Sequence, residues 1–222
     1  MAQRVGLTDS AGPYLGWGTG WVDLDNDGWL EVFVANGHVY PDIDAAGIGT
    51  TFLQRKQVFR NLQNGRFGDV TDAVGGGLLV AKSSRGAAFG DFDNDGTIDV
   101  LVINLDDRPT LLHNQTVTGN RWVTLKLVGT KSNRDAIGAR AIARVGGRTE
   151  TAELRSGGSY LSHNDMRLHF GLGDAGQIDS LDVRWPSGAV QMFEHVKADT
   201  FWRITEGKGI EKERTQAKGA AR

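Results

Sequence analysis

The chain contains two nine-residue acidic segments with the same pattern, 68 positions apart. The first copy runs from Asp23 to Glu31, and the second runs from Asp91 to Asp99. In each copy three aspartates occupy alternate positions, a glycine follows, and a fourth carboxylate ends the segment. Like charges this close repel one another, and Ca²⁺ can relieve the repulsion because it accepts about six to eight oxygen ligands in a flexible shell. The duplication therefore predicts two calcium-binding loops.

The predicted ligands follow from the geometry of such a loop. Each aspartate and the final carboxylate would supply a side-chain oxygen, and the glycine would allow a sharp turn. The carbonyl of the residue after the glycine would add one more oxygen. A solvated turn without a cation is the simpler alternative, since Asp, Asn and Gly are common turn residues, but the fourth acid in both copies favours the metal. The predicted ligands are Asp23, Asp25, Asp27, the carbonyl of Trp29 and Glu31 in the first loop, and Asp91, Asp93, Asp95, the carbonyl of Thr97 and Asp99 in the second.

The residues that follow each loop argue against an EF-hand. An EF-hand needs an acidic residue at loop position 12 and a helix on each side. That position is Val34 in the first copy and Val102 in the second. The residues after each glycine are β-branched or apolar over the length of a strand, without a helical stripe. Each cation is therefore expected at a loop that leads into a β-strand.

Segment 89–96, Phe-Gly-Asp-Phe-Asp-Asn-Asp-Gly, resembles the FG-GAP repeat, which is also called the VCBS repeat. Segment 18–23 fits the same pattern less literally, and segments 58–71 and 111–114 resemble the connector between its strands. The resemblance implies blades of a β-propeller, with calcium bound between strands of a blade. Propellers usually close with about four to eight blades, and two loops account for at most two. We therefore expect a piece of a longer propeller, or a chain that needs further blades or self-association. A self-sufficient small β domain is the alternative.

The second half of the chain resembles the ASPIC/UnbV domain, which follows FG-GAP repeats in the cartilage acidic protein-like family. The resemblance covers 119–206 and rests on segments 120–123, 129–140, 155–162, 168–173 and 183–188. Apolar and polar residues alternate through several stretches of this half, which predicts half-buried strands. Gly146 and Gly147 separate two such stretches, as in a tight β-hairpin. A β-sandwich-like domain is expected here.

The fold class that follows is all-β. It comprises a partial β-propeller of FG-GAP blades over 1–118, a β-sandwich-like domain over 119–206, and a disordered tail over 207–222, where charged and small residues prevail. The 31 glycines and 4 prolines agree with short strands joined by tight turns. The absence of cysteine excludes disulfides and thiolate metal sites. No stretch has the length of a transmembrane helix, and no signal peptide is expected at the N-terminus of this chain.

The expected function is a calcium-binding, non-enzymatic interaction or adhesion module. A protein or glycan partner is expected, without nucleic acid and without membrane insertion. The family resemblance implies an extracellular, cell-surface or periplasmic location. The formal net charge of -2 carries little information about the partner, because many of the acids belong to the two loops. Two alternatives stay open: an accessory protein or enzyme in bacterial natural-product biosynthesis, and a lectin-like glycan binder.

Two groups of residues bear on these alternatives. A hydrolase could be built from Ser159, His163, Asp165 and His169, which are close in sequence, but the nucleophile pattern G-x-S-x-G is absent. We expect these side chains to form ordinary hydrogen bonds in loops. The three tryptophans around the first loop could line a sugar site, although we expect them in the core of a blade; they are Trp17, Trp21 and Trp29.

Overall fold

The computed structural model of the chain describes residues 3–213, except for the side chain of Asp9. Within these residues the protein is almost entirely β-structure, which confirms the expected fold class. The helical segments are α1 (Thr8–Ala11), a 3-10 helix (Pro41–Ala46) and α2 (Gly76–Leu79). The strands are β1 (Gly16–Val22), β2 (Glu31–Asn36), β3 (Gln57–Asn61), β4 (Phe67–Asp69), β5 (Ser84–Gly90), β6 (Asp99–Asn104), β7 (Asp107–Leu112), β8 (Arg121–Val128), β9 (Arg140–Val145), β10 (Arg148–Glu153), β11 (Leu168–Gly173), β12 (Gln177–Arg184), β13 (Val190–Lys197), β14 (Thr200–Thr205) and β15 (Ile210–Lys212).

The first half of the chain, here called the repeat region, forms two antiparallel sheets. The first blade has the strand order β1-β2-β3-β4, and the second blade has the order β5-β6-β7. The two blades pack face to face, with the rings of Phe33 and Phe89 in edge contact at 5.6 Å between centroids. Gly20 allows this approach, because a Cβ at that position would overlap the Phe89 ring. None of the sheets closes on itself, as expected for a partial propeller.

The C-terminal domain consists of two further four-stranded sheets, with the orders β10-β9-β12-β13 and β11-β8-β14-β15. Their facing side chains form a single apolar core to which both sheets contribute. The expected hairpin joins β9 to β10: Gly146 and Gly147 have φ angles of 53° and 85°, and Val145 pairs with Arg148. Two positive φ angles are typical of a type I′ turn, whose twist suits an antiparallel pair.

Two features of the C-terminal domain differ from the sequence-based expectations. Strand β14 lies parallel to β8, although most neighbours in these sheets are antiparallel. Strand β15 pairs with β14, so the expectation of disorder over 207–222 is wrong for Ile210–Lys212. Residues 214–222 of that expected tail lie outside the described residues. Among residues 3–213, no helix has the length and apolar character needed to cross a bilayer.

Glu206 fastens the end of β14 to the loop that follows β8. Its buried carboxylate accepts hydrogen bonds from the backbone N–H groups of Thr130, Lys131 and Ser132, each at 2.7 or 2.8 Å. The hydroxyl of Ser187 donates a further bond at 2.5 Å. Burial acts to raise the pKa of Glu206, but these hydrogen bonds to the charged form outweigh it and hold the pKa at about 2.

Candidate metal loops and their junction with the C-terminal domain

The two acidic loops have the same backbone conformation. Asn26 and Asn94, at the fourth position of each loop, have φ angles of 59° and 60°. The glycines two positions later have φ angles of 84° and 92°. Asn and Gly are the residues that adopt left-handed conformations at least cost. The sequence Asp-Asn-Asp-Gly therefore folds into the same turn twice.

The loops also share their internal hydrogen bonds. Asp23 accepts bonds from the N–H groups four and five residues further along the chain, at 3.2 and 2.8 Å. Asp91 does the same at 3.1 and 2.9 Å. The final carboxylates, Glu31 and Asp99, each accept a bond from the N–H seven residues earlier, at 3.0 and 3.2 Å. Both copies thus turn their first and last carboxylates toward the loop.

The structure brings three of the four predicted side-chain ligands together in each loop. One oxygen from each of Asp23, Asp25 and Asp27 lies within 4.8 Å of the others, and the second loop groups Asp91, Asp93 and Asp99 in the same way. Glu31 lies outside the first group. Asp95 instead forms a group with Asp93 and His113. The carbonyls of Trp29 and Thr97 remain predicted ligands.

The electrostatics of the first loop favour a bound cation. Burial, followed by the charges of Asp27 and Asp25, raises the pKa of Asp23 to about 7 despite its hydrogen bond from Gly28. Burial and the same neighbouring aspartates raise the pKa of Glu31 to about 8. The Oε1 atom of Glu31 is buried and has no hydrogen-bond partner among the described residues. A hard divalent cation would compensate both the clustered charge and the unpartnered oxygen, so these residues fit Ca²⁺.

The second loop shows the same effect more weakly. Burial is the main cause that raises the pKa of Asp91 and of Asp99, against hydrogen bonds from the backbone. His113 lies near this loop, with its Nε2 atom 3.6 Å from Asp93 and 4.0 Å from Asp95. In the first loop the neighbouring cation is Arg60, which forms an ion pair with Asp25 at 2.9 Å. Each loop therefore has one basic neighbour that would compete with a metal.

Comparison with known proteins agrees with the domain order. Residues 23–102 match the family profile described as FG-GAP-like repeat, and residues 129–211 match the profile described as ASPIC and UnbV. The chain carries an FG-GAP-like repeat region and an ASPIC/UnbV domain. Cartilage acidic protein 1 of Xenopus tropicalis is 28% identical over 180 residues, which cover 76% of this chain and 25% of that protein. The chain thus spans about a quarter of the length of this relative, and the expected resemblance is confirmed.

The ASPIC/UnbV domain contacts both acidic loops at their fourth position. The His169 Nε2 atom lies 2.7 Å from the Oδ1 atom of Asn26. Arg167 donates to the Oδ1 atom of Asn94 at 2.6 Å and to the carbonyl of Asp91 at 2.7 Å. The two asparagines occupy equivalent positions of the repeat. Their partners are two residues apart: Arg167 immediately precedes β11, and His169 lies within it. One strand region of the domain therefore binds both loops.

Further contacts from the domain hold the backbone of the first loop. Arg148 donates to the carbonyl of Asp27 at 2.6 Å, and Asn120 donates to the carbonyl of Asp25 at 2.8 Å. The N–H of Gly173 donates to the carbonyl of Asn26 at 2.9 Å. These donors approach the loop through its carbonyl oxygens, so they leave the aspartate side chains available to a cation.

Glycine is required where the loops and the domain meet most closely. A Cβ at Gly171 would overlap the carboxylate of Asp23, and a Cβ at Gly96 would overlap the ring of Trp122. The close approach also links the two loops to each other, because the side-chain amide of Asn26 donates to the carbonyl of Gly96 at 2.9 Å. The sequence showed the repeated asparagine, but nothing in it indicated that the asparagine binds a distant domain.

A cleft of about 1060 Å³ lies between the repeat region and the ASPIC/UnbV domain. Its walls include Trp21 and Trp29 on one side and Glu150 and Arg155 on the other. Trp21 is 60% exposed and Trp29 is 36% exposed, so the expectation that they lie in a blade core is wrong. Trp17 packs against the ring of Tyr160 at 4.8 Å between centroids, at the same junction.

The four residues that could have formed a hydrolase have other partners. Ser159 accepts a bond from the N–H of Thr19 at 2.6 Å, and Asp165 forms an ion pair with Arg167 at 2.5 Å. His163 lies 2.7 Å from the carbonyl of Asn164. Within residues 3–213 no hydrogen bond joins any two of Ser159, His163, Asp165 and His169, so the structure offers no catalytic relay among them.

Proposed function

We propose that the chain is a calcium-binding, non-enzymatic interaction module in which two Ca²⁺ ions stabilise the junction between the repeat region and the ASPIC/UnbV domain. The observation that carries the proposal is the buried Oε1 atom of Glu31, which has no hydrogen-bond partner among the described residues. Burial, and then the charges of Asp25, Asp23 and Asp27, raise the pKa of this carboxyl. An oxygen left in this state costs about 1–3 kcal/mol unless something compensates it. A cation in the loop would do so.

The ligands would be the carboxylates of each loop, together with the carbonyls of Trp29 and Thr97. Ca²⁺ supplies positive charge and a flexible oxygen shell, which suits a loop with carboxylates at alternate positions. The protein's own part is to hold the loop backbone in place. Hydrogen bonds that backbone N–H groups donate to the aspartates, and those that Arg148 and Arg167 donate to loop carbonyls, do this in the structure.

Calcium would act on the junction between the domains because the same two loops serve both. The fourth position of each loop lies between predicted ligands in sequence, and its side chain contacts His169 or Arg167. A cation that orders the loop would therefore also order the atoms that the ASPIC/UnbV domain binds. By linkage, docking of the domain would strengthen calcium binding by the same factor.

The domain composition supports an extracellular-type interaction module. We place the protein outside the cell or at its surface, where calcium sites with dissociation constants of about 10⁻⁴–10⁻³ M are occupied. The partner would be a protein or a glycan. It would contact the exposed loops or the ASPIC/UnbV domain, while the calcium sites keep these surfaces in fixed relative positions.

Isothermal titration of the purified chain with CaCl₂ tests the metal role. We expect two Ca²⁺ per chain, and one in each of the variants Asp25→Asn and Asp93→Asn. The variant Asp42→Asn, which changes an exposed acid of the 3-10 helix, serves as the matched control and should retain two. Absence of calcium uptake by the folded wild-type chain would refute the proposal.

A further inference from the structure

Each blade has an asparagine that holds the backbone near the end of its acidic loop. Asn61 ends β3, and Asn114 lies two residues after β7. Their side-chain NH₂ groups donate to the carbonyls of Leu30 at 3.3 Å and of Ile98 at 3.2 Å, each two residues after its loop glycine. Each side-chain oxygen accepts a bond from the N–H two residues further along the chain. Asn61 and Asn114 are therefore equivalent residues of the two blades.

Asn114 also reaches the acidic loop of the other blade. Its Nδ2 atom donates to the carbonyl of Leu24 at 2.7 Å, and Leu24 lies between the first two aspartates of the first loop. Within residues 3–213, Asn61 forms no hydrogen bond with the second loop. Asn114 thus bridges the two loops, whereas its counterpart serves one loop only.

The hydrogen bonds of Asn114 continue to a carboxylate on each side. Its backbone N–H donates to the Oδ1 atom of Asp99 at 2.8 Å. On the other side, the N–H of Leu24 donates to the Oε2 atom of Glu31 at 3.0 Å. Glu31 and Asp99 are the last carboxylates of the first and second loops, and both are buried. Three hydrogen bonds therefore connect these two carboxylates through Leu24 and Asn114.

A second hydrogen bond joins the loops in the opposite direction. The side-chain NH₂ of Asn26, in the first loop, donates to the carbonyl of Gly96 in the second loop at 2.9 Å. Asn26 is buried, so water does not compete for this bond. The loops thus share hydrogen bonds at two places, and a change in the backbone of one loop displaces a partner of the other.

We propose that the two predicted Ca²⁺ sites bind cooperatively, with Asn114 as the positioning residue that couples them. The inference rests on the proposed calcium role. A cation in one loop needs the last carboxylate and the adjoining backbone in a single arrangement, and the hydrogen bonds of Asn114 transmit that arrangement to the other loop. The second cation then meets a loop that is already ordered, so the entropy cost of ordering is smaller. By linkage, each site strengthens the other by the same factor.

The sign of the coupling separates this mechanism from electrostatics. Two divalent cations repel each other, so charge alone would make the second ion bind more weakly than the first. Hydrogen bonds that order both loops have the opposite effect. A positive coupling would therefore identify the hydrogen bonds between the loops as its cause. It should persist at higher salt, because screening weakens only the repulsion.

Titration calorimetry with CaCl₂ on a set of variants measures the coupling. Asp25→Asn leaves the second site alone and Asp93→Asn leaves the first, so each variant gives the association constant of one site. The product of the two association constants of the wild type should exceed the product of these single-site constants at least about fivefold. The same comparison in an Asn114→Ala background should give a ratio close to one, because the bridge between the loops is lost.

The matched control is Asn61→Ala, which removes the equivalent asparagine and leaves both links between the loops in place. The ratio in this background should equal that of the wild type. Circular dichroism of each variant in EDTA verifies that it is folded. The wild-type comparison needs no substitution at Asn114, so it decides the sign of the coupling even where that variant does not fold.

Three results would overturn the inference. A wild-type ratio of one or below would mean that the sites are independent or repel each other. A ratio that is unchanged in the Asn114→Ala background would assign the coupling to other residues, and an equal loss with Asn61→Ala would remove the special role of the bridge. Absence of calcium uptake would refute the proposed function itself, whereas two ions bound without coupling would refute only this inference.

Discussion

The Nε2 atom of His169 lies 2.7 Å from the Oδ1 atom of Asn26, which joins the ASPIC/UnbV domain to an acidic loop more than a hundred residues earlier. Burial, and then the charge of Arg167, lowers the pKa of His169 to about 4, so the imidazole is neutral near pH 7. The side-chain NH₂ of Asn26 donates to the carbonyl of Gly96, so the amide oxygen of Asn26 faces the imidazole ring. The Nε2–H group of His169 is therefore the donor to that oxygen. The Nδ1 atom then accepts the hydroxyl proton of Thr124 at 2.9 Å.

The first prediction concerns this bond. His169→Ala should lower the free energy of unfolding by about 1–3 kcal/mol, because it removes the hydrogen bonds of His169 with the Asn26 Oδ1 atom and the Thr124 hydroxyl. Urea unfolding measures the change. His163→Ala is the matched control, because its exposed ring lies beside Asn164 and not at a loop. Equal losses in the two variants would contradict a specific role for His169 at the junction.

Calcium should make the stability of the chain depend on the loop aspartates. In CaCl₂ at about ten times the dissociation constant of a site, loss of that site in Asp25→Asn or Asp93→Asn should cost about 1.4 kcal/mol. In EDTA each variant removes a like charge from an acidic group, so Asp93→Asn should not be less stable than the wild type, and Asp25→Asn should lose at most about 0.2–1 kcal/mol, the contribution of its ion pair with Arg60. Differential scanning calorimetry in the two buffers measures this. A loss of the same size in EDTA would assign the aspartates a role without metal.

Arg60 should compete with calcium for the first loop, because it forms an ion pair with Asp25 at 2.9 Å. Exposed pairs of this kind contribute about 0.2–1 kcal/mol. Arg60→Gln should therefore tighten calcium binding at one of the two sites by up to about fivefold, as measured by titration calorimetry. The control is Arg66→Gln. Arg66 is exposed in the same hairpin and has no contact with an acidic loop among the described residues, so the calcium affinities of both sites should stay unchanged. Unchanged binding in Arg60→Gln would show that the ion pair does not oppose the metal.

Gly96 should resist substitution more strongly than another glycine of similar conformation. Gly96 has a φ of 92°, and a Cβ there would overlap Trp122, whereas Gly65 has a φ of 80° and open space around it. Both Gly→Ala variants incur the left-handed backbone cost of about 1–2 kcal/mol. Gly96→Ala should lose more stability than Gly65→Ala. The difference between the urea midpoints of the two variants measures the contact of Gly96 with the ASPIC/UnbV domain. Similar losses would mean that the Trp122 ring moves aside at little cost.

Glu206 should make the ASPIC/UnbV domain sensitive to acid. Its pKa of about 2 lies below the ordinary value of 4.5, so the native state favours the charged form. The stability that this gives is fully present above pH 4.5 and is lost as the pH falls through about 2. The difference in urea midpoint between the wild type and Glu206→Gln should therefore shrink over that range. Glu211→Gln, at an exposed position, is the control, and a difference independent of pH would contradict the assignment.

Local patterns made much of the fold predictable. The alternation in β8 and β9, the two-glycine turn and the duplicated loop each depend on neighbouring residues, and each formed as expected. The parallel pairing of β8 with β14 joins residues such as Val123 and Thr200, which no local pattern connects. The exposure of Trp21 was missed for the same reason, because the sequence does not show which aromatic residues another element covers.

The candidate site also has a part that local sequence predicts and a part that it does not. The predicted carboxylates lie together because they are close in sequence, and the turn that gathers them is set by Asn and Gly. The second partners of the loops are His169, in β11, and Arg167, just before it, and each lies more than seventy residues after the asparagine that it contacts. Glu31 and Asp95 lie outside the three-carboxylate groups, although both accept backbone hydrogen bonds within their loops as the grouped residues do.

The parallel pair of β8 and β14 has a consequence for synthesis on the ribosome. Strand β8 lies between β11 and β14 in its sheet, and β14 leaves the exit tunnel after both of them. Until then β8 presents an open edge, and the sheet that supports both acidic loops is unfinished. A nascent chain interrupted before Thr200 would thus expose a strand able to pair with other chains, and quality control should recognise it at that stage.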